Sequence, residues 1–140
     1  MEVYKRKVHY YETDQMAIVH HSNYIRWFEE ARIDMLTKMG LPMDEIEKMG
    51  VQIPVLAVTC NYRNMTRFND TVLVGVKLEK YNGIKMHITY ELKNEKTGEI
   101  TNTGSSDHCF LDMKGNVVSL KKSFPKMHEI FSDFLGTSTY

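Results

Sequence analysis

Two hydrophobic periods divide the chain. Near the N-terminus Val3, Lys5 and Lys7 alternate with Tyr4, Arg6 and Val8, a spacing of two that predicts a first strand over residues 3–11. From Asn23 onward the apolar positions become Ile25, Phe28, Ala31, Met35 and Leu36, spaced mostly by three and four, which predicts a helix with a buried stripe. Ser22 or Asn23 can cap that helix through a side-chain oxygen, and Gly40 and Pro42 end it, one by accepting a left-handed backbone and the other by refusing to continue. The segment from Pro42 to Gly50 reads as a short second helix.

Beyond Gly50 the pattern is that of strands. Residues 53–63, 70–81, 85–95 and 98–113 are four predicted strands, with turns at Asn82–Gly83 and Thr97–Gly98. Connections this short imply antiparallel neighbours. Met127, Ile130, Phe131 and Phe134 place a terminal helix over residues 123–135. The order predicts an α+β fold, helices gathered on one face of an antiparallel sheet, and 140 residues suit a single domain spanning 1–140.

Composition narrows the function. The chain is 42% hydrophobic and 26% charged, and no apolar run approaches the ~20 residues of a membrane span, so no membrane insertion is expected. The N-terminus lacks an apolar segment of the secretory kind, and a cytoplasmic protein is expected. Lysine plus arginine and aspartate plus glutamate both total 18, and a net charge of zero argues against nucleic acid as a partner. Cys60 and Cys109 stand far apart, without metal-site spacing, and read as reduced thiols in strands.

The chemistry concentrates between Tyr10 and Arg32, in "YYETDQMAIVHHSNYIRWFEEAR". Asp14 lies in the connection between the first strand and the long helix, where reactive groups are commonly carried. It can equally make an ordinary turn bond to a nearby backbone N–H. The adjoining helix start offers unpaired N–H groups and a partial positive charge, a setting for a developing oxyanion. A metal held by His9, Asp14, His20 and His21 is disfavoured: neighbours in an extended segment point apart, and no spaced ligand motif is present. Ser22 beside His21 lacks the elbow of a serine hydrolase.

The same stretch resembles the signature of hotdog-fold acyl-CoA thioesterases of the 4-hydroxybenzoyl-CoA thioesterase-like group, including the branch associated with the Tol–Pal system. Tyr10, Thr13, Asp14, Ala17, Ile18, Val19, His21, Tyr24, Trp27, Phe28, Glu29, Ala31 and Arg32 carry it, and "NYRNMTRFNDTVLVGVKL" and "SFPKMHEIF" extend it over nearly the whole chain. The resemblance implies a hotdog fold, an antiparallel sheet wrapped around a long central helix. It also implies hydrolysis of an acyl-CoA thioester by a homodimer or homotetramer that pairs its sheets edge to edge, with no cofactor and no metal.

By this resemblance Asp14 is the catalytic carboxylate, as nucleophile or as base for water, and the backbone N–H of His21 is the donor to the thioester oxygen. Tyr10 and the His21 side chain join them in the Tol–Pal-associated branch. Tyr24 and Trp27 are candidates to line the acyl pocket. Arg63 and Arg67, with Lys121 and Lys122, are candidates for the phosphates of coenzyme A. Ala17 stands where the group commonly has glycine. Glu29 and Arg32 are explained by an i,i+3 ion pair. Two other functions are compatible with the fold: a hotdog dehydratase or hydratase, which would want its acid on the helix, and a non-catalytic protein that binds acyl-CoA or acyl-carrier protein.

Overall fold

The Asn82–Gly83 turn folds β3 (Thr71–Tyr81) back onto β4 (Lys85–Asn94). Gly83 takes φ +89°, and the Asn82 side-chain oxygen accepts the N–H groups of Ile84 and Lys85 at 2.9 and 2.8 Å. A second turn at Gly98 returns the chain as β5 (Ile100–Cys109). This computed structural model describes residues 1–140, with β1 (Tyr4–Lys7), α1 (Ser22–Lys38), α2 (Met43–Lys48) and β2 (Val55–Tyr62) before that meander. α3 (Leu120–Ser123) and α4 (Pro125–Phe134) follow it.

All pairings are antiparallel, in the order β1-β3-β4-β5-β2. The pairings expected at the two tight turns, β3 with β4 and β4 with β5, are both present. β2 and β3 are close in sequence but not neighbours: β2 pairs with β5 and occupies the far edge, so residues 63–70 must pass from one side of the sheet toward the other. Val55, Leu56, Val58 and Tyr62 on that edge strand are 40–53% exposed.

The first strand is shorter than the alternation suggested. Pairing with β3 ends at Lys7, and residues Tyr10–Glu12 form a turn of 3-10 helix instead of continuing the strand. The helix stripe is as predicted at Phe28, Ala31, Met35 and Leu36, and differs at its first turn. Ile25 is 41% exposed, whereas Tyr24, Trp27, Phe28, Ala31, Met35 and Leu36 are buried. The buried stripe therefore runs 24, 27, 28, 31, 35, 36, with Tyr24 and Trp27 in place of Ile25 at the start of the helix.

Phe28 joins α1 to the sheet. Its ring stacks on Tyr90 of β4, with centroids 4.3 Å apart, and lies over Gly104 of β5, where a Cβ would come within 2.6 Å of it. Glycine at 104 is thus a packing requirement. Arg32 has a partner the i,i+3 reading did not supply: its guanidinium donates to the Tyr90 hydroxyl at 3.0 Å, while Glu29 stands 4.0 Å away. A buried chain continues from Tyr90 to Ser106 and His108, at 2.6 and 2.7 Å. Burial and the Arg32 charge depress the His108 pKa to about 4, which keeps this imidazole neutral.

Candidate active site

Because β2 lies at the far edge, the chain after Tyr62 has to cross the end of the sheet, and there it meets the loop leading into α1. Ile18 bridges to Arg67, and the Val19 N–H donates to the Thr66 carbonyl at 2.8 Å. The Thr13–Val19 bridge closes the first loop on itself. Asp14 sits in this closure: its N–H donates to Ile18 O at 2.8 Å, its carbonyl accepts from Ala17 at 3.0 Å, and its Oδ1 accepts the Met16 N–H at 2.8 Å. The turn bond itself sets the direction of the carboxylate.

The turn places Ala17 at φ +61°. A left-handed alanine costs about 1–2 kcal/mol. We expect Ala17→Gly to raise unfolding free energy by about 0.5–1 kcal/mol in urea titration, the relief of strain exceeding the added entropy of the unfolded chain.

Glu12 anchors the other end of the loop. Its carbonyl accepts the His20 N–H at 2.8 Å and the Asn23 side-chain amide at 2.9 Å. Asn23 is therefore not the cap, and neither is Ser22, the first helical residue. The capping position is His21, with helical backbone angles, and the His20 Nδ1 receives the Ser22 N–H at 3.2 Å. The two histidine rings, expected to point apart, lie against each other with centroids 4.1 Å apart. The bend of the backbone at His21 explains this, since the segment is no longer extended there. The N–H groups of His20, Ser22 and Asn23 are all taken, and that of His21 has no partner in the chain.

Asp14 and His21 face one cavity of about 340 Å³ together with Tyr24, Tyr62, Arg63 and Met65. Tyr24 and Tyr62 meet edge to face at 5.6 Å, and Tyr62 Oη donates to the His21 carbonyl at 3.3 Å. Burial pushes the Tyr24 phenol up, so it stays a neutral hydroxyl at physiological pH. The arrangement puts Asp14 and His21, the residue at the start of α1, on one cleft with Tyr24 and Tyr62. It is suited to attack on a carbonyl whose oxygen gathers negative charge.

Of the residues marked in the sequence, Asp14, His21, Tyr24 and Arg63 meet in this cavity, and Tyr10, Trp27 and Arg67 do not line it. Trp27 is fully buried and donates its indole N–H to Glu12 Oε2 at 2.8 Å, so it belongs to the core. Arg67 is exposed on the loop and serves the site through its backbone. Tyr10 is 76% exposed, its ring edge-on to Phe68. With no hydrogen bond to lose, Tyr10→Phe should leave kcat within about threefold of wild type in a thiol-release assay. Tyr62 and Met65 were not anticipated as wall residues; only the crossing of the loops reveals them.

Residues 8–131 match the Thioesterase-like superfamily. YneP of Bacillus subtilis, named a candidate acyl-CoA thioesterase, is 33% identical over 94% of this chain and 96% of its own length. A candidate esterase of Aquifex aeolicus is 33% identical over 86% of this chain and 91% of its own. The crystal structure of a DHNA-CoA thioesterase from Staphylococcus aureus superposes with a TM-score of 0.89 at 33% identity, covering 94% of this chain and 89% of that one. The chain belongs to the Thioesterase-like superfamily of hotdog proteins and is a thioester hydrolase.

Proposed function

We propose that the protein hydrolyses an acyl-CoA thioester to the free acid and coenzyme A at the Asp14 cavity. The observation that carries this is the shared cavity itself, with the Asp14 carboxylate and the unpaired His21 N–H on one wall system. The acyl carbonyl oxygen takes the His21 N–H, whose place at the start of α1 favours negative charge. Asp14 attacks the carbonyl carbon, or holds and deprotonates the attacking water. The C–S bond breaks, and the thiolate leaves and takes up a proton; attack by Asp14 leaves an acyl–aspartyl anhydride that water then opens to the acid and the free carboxylate, whereas attack by water gives the acid directly. Single turnover in heavy-oxygen water, with acyl transfer to hydroxylamine as a trap, separates the two routes: label in the Asp14 carboxylate or a trapped hydroxamate requires the anhydride, and label in the product acid alone with no hydroxamate is left by direct attack of water.

The finer placements rest on fewer observations. The exposed, unpaired edge of β2 supports assembly of two copies edge to edge, which would cover Val55, Leu56 and Val58. Phe28 wedged against Tyr90 and Gly104 supports a sheet wrapped around α1. Free thiols at Cys60 and Cys109 and the absence of a helix long and apolar enough to cross a membrane fit the cytoplasmic reading. Membership of the Tol–Pal-associated branch rests on Tyr10 and His21, of which His21 reaches the cavity. Thiol release from short-chain, long-chain and aryl CoA esters tests the activity, and no turnover on any of them would leave a binding protein.

A further inference from the structure

The Asp14 cavity lies by Tyr62, the last residue of β2, and four other segments meet around the strand's opposite end. The Leu120 N–H donates to the Gly83 carbonyl at 2.9 Å, which seats α3 on the turn between β3 and β4. Met113 packs over Gly50, where an added Cβ would lie 3.7 Å from its Cγ, and its sulfur accepts from the Gln52 amide at 3.5 Å. Met49, Phe124, Pro125, Lys126 and Met127 line a cleft of about 270 Å³ between the end of α2 and the start of α4. The turn at Gly83, the residues after α2, the loop around Met113 and the α3–α4 segment thus form one continuous surface.

Its exposed side chains are of two kinds. Ile84, Met49, Val117 and Met113 are 42–65% exposed. Around them stand Lys114, Lys121, Lys122 and Lys126, all exposed and none within ion-pairing distance of a carboxylate. Two acids share the surface. The Asp112 carboxylate accepts the N–H groups of Lys114 and Asn116 at 2.9 Å each, which leaves Glu129 of α4 against four ammonium groups. A chain of zero formal charge therefore carries a local cationic excess here.

The composition selects the partner. Protein interfaces are enriched in arginine and aromatic residues and depleted in lysine, and this surface has no arginine and no exposed aromatic ring. Lysine keeps its ammonium in water at the end of an apolar stem, and aliphatic tips set between such stems can enter the headgroup boundary of a bilayer. We propose that this end of the protein docks on an anionic lipid bilayer, the four lysines on lipid phosphates and the four apolar tips among the upper acyl carbons. The contact is peripheral, since no helix is long and apolar enough to cross a membrane. It is also separate from the proposed hydrolysis: Lys121 and Lys122, marked in the sequence for coenzyme A, do not line the Asp14 cavity.

Co-sedimentation with extruded vesicles tests the surface without reference to catalysis. Wild type should pellet with phosphatidylcholine vesicles containing about one third phosphatidylglycerol, at least about tenfold less with phosphatidylcholine alone, and less again as salt is raised to about 0.5 M. Lys114→Gln/Lys121→Gln/Lys122→Gln/Lys126→Gln should lower the partition coefficient about tenfold or more, and the matching four-arginine variant should keep it. Met113→Ser/Val117→Ser, with every lysine intact, should lower it about fivefold. All six positions are exposed, and an unchanged thermal midpoint shows that each variant is folded. No wild-type binding to the anionic vesicles, or equal binding by the glutamine variant, overturns the proposal. Equal binding by Met113→Ser/Val117→Ser overturns it too, leaving ionic attraction without lipid contact. A glutamine variant that keeps its vesicle binding while its KM for an acyl-CoA rises gives the lysines to the substrate instead. A wild type that binds vesicles and turns over no thioester retains this surface and loses only the proposed activity.

Discussion

Asp14→Asn should lower kcat by about 10³–10⁴ while leaving KM within a few-fold and the thermal midpoint within about 2 °C. The asymmetry follows from what the carboxylate does in the loop. Its Oδ1 accepts the Met16 N–H at 2.8 Å, and an asparagine side-chain oxygen accepts the same bond, so the turn survives the change. What is lost is the negative charge that the proposed mechanism uses to attack the acyl carbon or to take a proton from water, and no other carboxylate lines the cavity to replace it. Asp14→Ala removes both functions and should add a stability loss of about 1 kcal/mol, the worth of a typical hydrogen bond. Comparing the two variants by thiol release and thermal unfolding separates chemistry from turn formation. Turnover of Asp14→Asn within tenfold of wild type would remove Asp14 from the mechanism.

The sequence disclosed the elements better than their arrangement. The α+β class, the three-strand meander and the terminal helix follow from local signals, because turn residues and apolar periods act over a few residues. The position of β2 does not. Which strand neighbours which is a long-range matter, and the eight residues linking Tyr62 to Thr71 look like any short connection until the sheet order shows that they cross it. That crossing also explains the site. Asp14 and His21 were legible because the motif places both on one loop and helix start, whereas Tyr62 and Met65 reach the cavity only through the tertiary route of the second loop. Trp27 shows the reverse error. A large aromatic three residues after Tyr24 on the helix looks like a pocket wall, yet its N–H is committed to Glu12.

Arg6→Met should destabilise the fold by about 3–5 kcal/mol in urea titration, a large part of the stability of an ordinary domain. Arg6 holds the Glu12 carboxylate through both terminal nitrogens, at 2.9 and 2.8 Å, and Glu30 through Nε at 2.9 Å. The Glu12 side chain is 4% exposed. With Arg6 gone, a carboxylate in the core keeps only the Trp27 indole N–H and the His9 N–H as donors, at 2.8 Å each. Methionine retains much of the side-chain length beside the Trp27 ring, over which the guanidinium carbon stands at 5.6 Å, so the loss should come chiefly from the uncompensated charge rather than from a cavity. The double variant Arg6→Met/Glu12→Gln distinguishes these causes. A neutral glutamine oxygen still accepts from Trp27 and His9, and the pair should recover about half of the single variant's loss, a coupling on the order of 2 kcal/mol. If the double variant is no more stable than Arg6→Met, charge burial is not the cause. The effect should extend to activity, because the Glu12 carbonyl holds both His20 and Asn23 and so sets where α1 begins and where the His21 N–H points. Arg6→Met should therefore lower kcat even at temperatures where it is fully folded, by loosening the His21 N–H, the proposed donor to the thioester oxygen, 15 residues away in sequence.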